Sequence, residues 1–551
     1  MASAPAGRGT AVGGVTYARP AAFWVGIACV SAGVLLHLPM YVGAADMGYR
    51  LAGMAMDPPM IAGMMLIVVG LVATTFGLVS RRPGPQADEV GPIRVRALDD
   101  APIRPAHIGL LLIMTAAVTI DVMKPTTLGF VLPGMTTEYG LTSALNPGGS
   151  TPAALLPLVG ITGTVIGSFT WGWLGDRIGR RASILLAAVL FIATAVCGSM
   201  PSFSLNLLMC FVMGLGAGGM LPITFALMAE TVPARHRGWV MVLIGGDVAG
   251  AYILTSWLSA TLVPNYSWRI LWLIGLPTGL LLLVLNRWIP ESPRFLLAQG
   301  RDVEARAVME RYGAVVVRDE QAQPAVDAAV DSRFTQLFQQ PFAGLSAVVV
   351  LLGLGVGLVT FGFQLWMPSN LQRLGYTEVT ASNILRDSAL IGFPLNFAVA
   401  WLYGVWSSKK TIIVLGALTA VALTGFAVVG DGVADNPGLL RALLVVPIWG
   451  ISSIVAVLFA YSSEVFPTRI RARGTGLAAG ASKVGGVAII ALVVAAITPP
   501  SIVWTALLGA VPMALAVLAV AVYGVETRQR GLEDITAEEL GAEPVKVGPS
   551  G

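Results

Sequence analysis

The chain has 551 residues, of which 56% are hydrophobic and only 12% charged. A soluble domain carries about 25% charged residues, so this composition excludes an ordinary soluble globule and reads as a polytopic membrane protein. The formal net charge of +4 carries little information until its distribution along the chain is known.

In chain order, residues 1–20 are small and polar and are expected to be disordered. Fourteen apolar stretches follow, near 21–42, 58–80, 107–134, 152–174, 183–199, 203–228, 239–262, 269–286, 344–367, 382–403, 411–429, 440–461, 474–497 and 502–523. Most exceed ~18 residues, enough to span ~30 Å of hydrocarbon, and backbone groups in lipid must be satisfied within the segment, so each is expected to be a helix. The first run is too long for a signal h-region and is read as a span. The expected fold is all-α and polytopic. A transmembrane hairpin (21–80) and a cytoplasmic linker (81–106) precede a six-helix bundle (107–287). A polar inter-bundle segment (288–343) follows, whose Glu304, Arg306, Glu310 and Arg311 suggest a surface helix. A second six-helix bundle (344–523) and a polar tail (524–551) complete the chain.

With the N-terminus inside, 27 of the 34 basic residues fall in cytoplasmic segments. Arg50, Arg269, Arg373 and Arg441 fall outside, and Lys124, Arg386 and Lys483 fall within spans. The positive-inside rule then places both termini in the cytoplasm. Topology explains the basic clusters, so no nucleic-acid partner is expected. The excess of arginine over lysine, 29 to 5, suggests a GC-rich bacterium and hence its plasma membrane.

A repeat divides the chain. Glu230-Thr-Val-Pro233-Ala-Arg235-His-Arg237 returns 234 positions later as Glu464-Val-Phe-Pro467-Thr-Arg469-Ile-Arg471. Gly175-Asp-Arg-Ile-Gly-Arg180-Arg181 has its counterpart 229 positions on, at Gly404-Val-Trp-Ser-Ser-Lys409-Lys410, and Pro290-Glu291 has Val525-Glu526 at 235. Nearly constant offsets fit two parallel repeats related by an axis along the membrane normal.

Trp173-Leu-Gly-Asp-Arg-Ile-Gly-Arg-Arg181 resembles the loop signature of the major facilitator superfamily. The resemblance implies two bundles rocking about a central site. It also implies a cytoplasmic gate built from Asp176, Arg177, Arg180 and Arg181 together with Glu230, Arg235, Arg237, Glu464, Arg469 and Arg471. The alternative for these charges is a positive-inside anchor and ordinary helix-end capping. Pro290-Glu-Ser-Pro-Arg294-Phe-Leu-Leu297 and Glu526-Thr-Arg-Gln-Arg-Gly-Leu-Glu-Asp534 resemble the sugar-porter and metabolite–proton symporter branch. Trp366-x-Pro368-x-x-Leu371-x-x-x-Gly375 resembles organic-acid and aromatic-acid symporters. The likeness covers about 107–535 and leaves out the first two spans.

Charges within spans are the best candidates for the site, since each is costly unless paired or hydrated. Asp121 stands about halfway along the first main-body helix, with Lys124 three residues later on the same face. Aromatic-acid symporters carry two acids in this helix, so the resemblance implies one acid kept and one exchanged for lysine. Asp121 is the expected proton site or its electrostatic partner, and Lys124 its counter-charge or a receiver of substrate carboxylate; a structural ion pair is the alternative. Asp247 lies between glycines in the fifth helix. Lys483, in the eleventh, has no neighbouring acid and suits an anionic ligand. Arg386-Asp387 reads equally as outer gate, snorkelling pair or binding pair. Cys210 stands where many relatives carry a coupling arginine.

The run Gly214-Leu-Gly216-Ala-Gly218-Gly219 lacks the strand and Lys-Ser/Thr of a phosphate loop and reads as helix packing. Cys29, Cys197 and Cys210 form no metal spacing, and the methionines of the hairpin read as gap-fillers, so neither metal nor cofactor is expected. His37, His107 and His236 lie apart, and no nucleophile–base constellation points to an enzyme. The expectation is a monomeric secondary active transporter with protons as coupling ion, importing a small organic anion or related metabolite. Export of a metabolite or drug is the alternative, and a non-transporting membrane sensor the reading from another class.

Overall fold

The computed structural model describes residues 10–12, 15–78, 101–143, 145–313, 334–466, 468–496 and 501–527. Among them, thirteen helices are long and apolar enough to cross a membrane. In the first half these are α1 (Pro20–Gly43), α2 (Pro58–Leu78), α3 (Pro105–Tyr139), α5 (Arg180–Ser199), α6 (Phe203–Met228), α7 (His236–Tyr266) and α8 (Ile270–Trp288). Helix α4 (Leu155–Ile178) fills the place of the span expected at 152–174, its apolar part being Leu155–Trp171. After the surface helix α9 (Asp302–Arg311), the second half supplies α10 (Ala343–Arg373), α11 (Glu378–Trp406), α12 (Ser408–Asp435), α13 (Pro437–Val465), α14 (Thr468–Ala496) and α15 (Ile502–Tyr523). The fold is all-α with two six-helix bundles, α3–α8 and α10–α15, and an added hairpin, α1–α2. The surface helix expected around Glu304 is present, opened by an Arg301–Glu304 ion pair of 2.6 Å.

Within the N-terminal segment expected to be disordered, two short strands are described. Thr10–Val12 and Val15–Tyr17 pair as a short antiparallel ladder. Alternation puts Val15 and Tyr17 on one face, and both are buried. The linker at 81–100 and the tail from 528 lie outside the described residues.

The hairpin is held by glycines. Gly26 and Gly33 on α1, and Gly63, Gly70 and Gly77 on α2, recur every seven residues and so share one face of each helix. A Cβ on Gly26 would stand 2.7 Å from the Gly70 carbonyl oxygen, and one on Gly33 would stand 2.6 Å from that of Gly63. Such backbone approach replaces the hydrophobic drive that is absent between helices in lipid. Trp24, Val25, Met65, Val68, Val69 and Val72 are exposed on the hairpin, as a lipid-facing surface requires. The methionines do not converge: Met40 and Met60 are buried, while Met47, Met54, Met56 and Met65 are exposed.

Helices α6, α7, α10 and α11 are each interrupted partway along. Helix α6 stops at Ala217 and resumes at Met220. Helix α7 breaks at Asp247. Helix α10 passes through a widened turn (Val359–Phe363) and a tightened one (Gln364–Trp366). Helix α11 breaks at Phe393 and Pro394. Prolines stand at three of these: Pro222 has no N–H for the Gly218 carbonyl, Pro368 none for that of Gln364, and Pro394 none for that of Leu390. Irregular backbone at membrane depth is tolerated where it is buried in protein or lines a cavity.

Candidate functional site

A cavity of about 170 Å³ lies between the bundles. Helices α3, α4, α6 and α7 wall it on one side, and α10, α13 and α14 on the other. The lining is mainly apolar and aromatic, with Phe130, Tyr252, Phe361 and Phe459 among its walls. Two charged side chains reach it, Asp121 and Lys483. Thr126, Thr164, Thr360, Gln364 and Ser482 add neutral polar groups.

Asp121 is buried, and its Oδ1 has no hydrogen-bond partner among the described residues. Four residues on, Pro125 leaves the Asp121 carbonyl without its helical donor, so the backbone is loosened where the acid sits. Lys483 reaches across from α14 to the opposite bundle. Its Nζ donates to the Gly218 carbonyl (3.1 Å), the Thr164 carbonyl (3.3 Å) and the Ser168 hydroxyl. Close packing of α14 on α10 sets this reach: a Cβ on Gly353 would lie 2.9 Å from the Ala478 carbonyl oxygen, and one on Gly357 would strike that of Ser482.

The other membrane charges stand elsewhere. Lys124, expected beside Asp121, is absent from the cavity wall. It is buried, its Nζ has no hydrogen-bond partner among the described residues, and it fills the space that the missing side chain of Gly275 leaves on α8. Three residues turn a helix by about 300°, so neighbours on one face still diverge when a long stem finds a gap to one side. Asp247, at the break in α7, accepts a hydrogen bond from the Thr119 hydroxyl. Next to it, Asn396 of α11 donates to the Gly246 carbonyl at 3.3 Å and accepts from Ser453 at 2.7 Å. Arg386 and Asp387 pair with each other at 2.7 Å, partly exposed and away from the cavity. Cys210 is buried with its Sγ 3.6 Å from the Leu156 carbonyl.

At the arginine-rich end the repeat is visible as matched hydrogen bonds. Glu291 accepts from the N–H groups of Arg180 (2.7 Å) and Arg181, and so places its carboxyl oxygens at the N-terminus of α5. Glu526 does the same for α12, accepting from the Ser408 N–H at 2.9 Å and the Ser407 hydroxyl. Glu230 accepts from the Ser292 hydroxyl and lies 3.9 Å from Arg180. Glu464 accepts from the Thr527 hydroxyl (2.7 Å) and Tyr403 (2.7 Å). Burial pushes the Glu291 carboxyl up to about 7, against the opposing pull of the backbone N–H donors and Arg180. Arg181 Nε donates to Asn286 at 3.1 Å, Arg237 donates to the Val232 carbonyl at 3.3 Å, and Arg177 is exposed. The side chains of Asp176, Arg235, Arg469 and Arg471 lie outside the described residues.

Reading the sequence missed Ser168, Ser292 and Thr527. The last two carried a signal, since a hydroxyl residue follows the repeated glutamate in both halves. It also missed Glu138, which pairs with Arg269 at 2.7 Å in a buried setting. Glu138 accepts from Trp268 as well, and from the Leu51 and Ala52 N–H groups of the hairpin loop.

Comparison with known proteins agrees with this geometry. The family described as "Sugar (and other) transporter" matches residues 135–538. The niacin transporter NiaP of Acinetobacter baylyi is 28% identical over 72% of this chain and 88% of its own length. The benzoate transport protein of the same species is 24% identical over 71% and 83%. Among solved structures, the proton:xylose symporter XylE bound to 6-bromo-6-deoxy-D-glucose superposes with a TM-score of 0.60 at 17% identity, covering 79% of this chain and 99% of that one. The inward-open xylose transporter XylE from E. coli gives 0.58 at 17%, covering 78% and 99%. At such identity the likeness speaks for the fold. Paired bundles about one cavity, and a family match reaching from the end of α3 into the tail, lead to one conclusion: the chain belongs to the sugar (and other) transporter family of the major facilitator superfamily and is a multi-pass membrane transporter.

Proposed function

We propose that the protein imports a small aromatic or related organic anion together with protons, as a monomer with both termini in the cytoplasm. The observation that carries this reading is the cavity itself: aromatic and apolar walls with one lysine and one aspartate facing into it. An apolar site with few polar groups suits a planar ring bearing a single carboxylate better than a hexose, which needs many hydrogen-bond partners. Lys483 is the counter-charge for the carboxylate. Asp121, buried and without a hydrogen-bond donor on Oδ1, is the group that takes up and releases the proton. The names of two relatives, a niacin transporter and a benzoate transport protein, support the same ligand class.

Uptake of labelled nicotinate and benzoate into proteoliposomes tests the reading. An inward proton gradient should drive accumulation. Asp121→Asn should leave exchange across equal concentrations intact while removing the response to the gradient. Lys483→Ala should reduce uptake at least tenfold, because the carboxylate would lose its charged partner. Accumulation of neither acid in wild-type liposomes would refute the ligand class, and gradient-driven uptake by Asp121→Asn would refute the role of that residue.

A further inference from the structure

The lysine of one bundle is seated in a pocket of oxygens belonging to the other. Gly218 sits at the break in α6, and its carbonyl lacks a helical donor because Pro222 stands four residues on. Instead it accepts from the Ser168 hydroxyl at 2.7 Å and from Lys483 Nζ at 3.1 Å. The Ser168 hydroxyl also lies 2.8 Å from the Thr164 carbonyl. It can donate its one proton to either carbonyl and keep a lone pair for the ammonium. Three oxygens thus meet the three N–H bonds of a lysine, and none of the three carries a charge. Asp121 lines the same cavity as Lys483.

We propose that Thr164, Ser168 and Gly218 form an ammonium cradle that docks Lys483 across the bundle interface and competes with the substrate carboxylate for it, which makes Ser168 and Pro222 positioning residues for transport. A docked Lys483 ties α14 to α4 and α6. A carboxylate that draws the ammonium into the cavity releases that tie, so binding and bundle motion share one group. A neutral cradle suits this exchange, because a carboxylate in its place would hold the lysine too firmly for a substrate to displace it. Pro222 matters through what it lacks: an N–H at that position would satisfy the Gly218 carbonyl within the helix and weaken the cradle. Competition with a carboxylate rests on the anion reading above; the docking itself does not.

The experiment uses full-length protein in nanodiscs, with spin labels at the exposed positions Phe169 of α4 and Val484 of α14 and benzoate as probe. Ser168→Ala and Pro222→Ala should each broaden the α4–α14 distance distribution and tighten benzoate binding by about tenfold, the worth of one hydrogen bond to a charged group. Lys483→Ala should broaden the distribution without the gain in affinity, and added methylammonium should narrow it again. That rescue separates an ammonium site from a purely structural role. Unchanged distributions in Ser168→Ala and Pro222→Ala would overturn the proposal, as would failure of methylammonium to narrow that of Lys483→Ala. Should neither benzoate nor nicotinate bind the wild type, the anion reading fails, while the distance measurements still decide the cradle. Ser168→Ala serves alone if Pro222→Ala does not fold.

Discussion

Glu291 shows how much one side chain can do at the end of a span. It meets the first N–H groups of α5, and Gly179, just before them, has a φ of +98° and no room for a Cβ against the Glu291 carboxylate. Only glycine takes that backbone readily. Because burial raises the Glu291 carboxyl from its ordinary 4.5 to about 7, the folded chain holds a proton that the unfolded chain has released between those values. Stability therefore falls as pH rises through that window. Thermal unfolding of the purified protein should show this fall for wild type and a flatter profile for Glu291→Gln; parallel profiles would remove Glu291 from the account. Asp121 and Lys483 were legible in the sequence as charges within spans. The departure of Lys124 was not, because Gly275 lies 151 positions away and only folding brings its gap to α3.

Among the elements, the hairpin α1–α2 has the most self-contained explanation. Its seven-residue glycine spacing is a property of the sequence, and its close backbone contacts follow from that spacing. Gly70→Leu would force a side chain into the Gly26 carbonyl and Val30. Overpacking of this kind costs roughly 1–3 kcal/mol. A matched loss of thermal stability is expected for Gly70→Leu but not for Val69→Leu, whose side chain already faces outward. Equal stability of both variants would show that the seam is slack. The broken helices were less legible. Pro222 stands in an apolar run that reads as continuous and Pro368 just past the end of another, and a missing N–H marks a functional break only when a partner from another helix takes up the stranded carbonyl.

At the scale of the whole molecule, the hairpin belongs to the first bundle. Glu138 is the joint: a buried carboxylate bonded at once to Arg269, Trp268 and the hairpin loop. Tyr41 adds a hydrogen bond to the Tyr266 carbonyl. The hairpin should therefore travel with α3–α8 as the bundles rock. Glu138→Ala leaves the Arg269 guanidinium buried without its anion and should cost roughly 3–5 kcal/mol. Asp431→Asn, which breaks the exposed pair with Arg373, should cost about 0–1 kcal/mol. Unfolding measurements on the two variants give the comparison, and a similar small loss in both would deny Glu138 its part as the joint.

The sequence by itself determined the number of apolar runs, the division into two related halves and the family to which they belong. Those features are local or periodic: hydrophobic length, charge placement and motifs that return at nearly constant offsets. The tertiary structure alone decided which charges meet. Asp121 and Lys483 are 362 positions apart and line the same cavity because two bundles face it. Ser168 and the Gly218 carbonyl become a seat for Lys483 because a proline in one helix frees an oxygen that a lysine in the opposite bundle can reach. Backbone groups stranded by a proline and space left by a glycine carry no mark of their partners in the sequence, since those partners are chosen by packing between segments far apart along the chain.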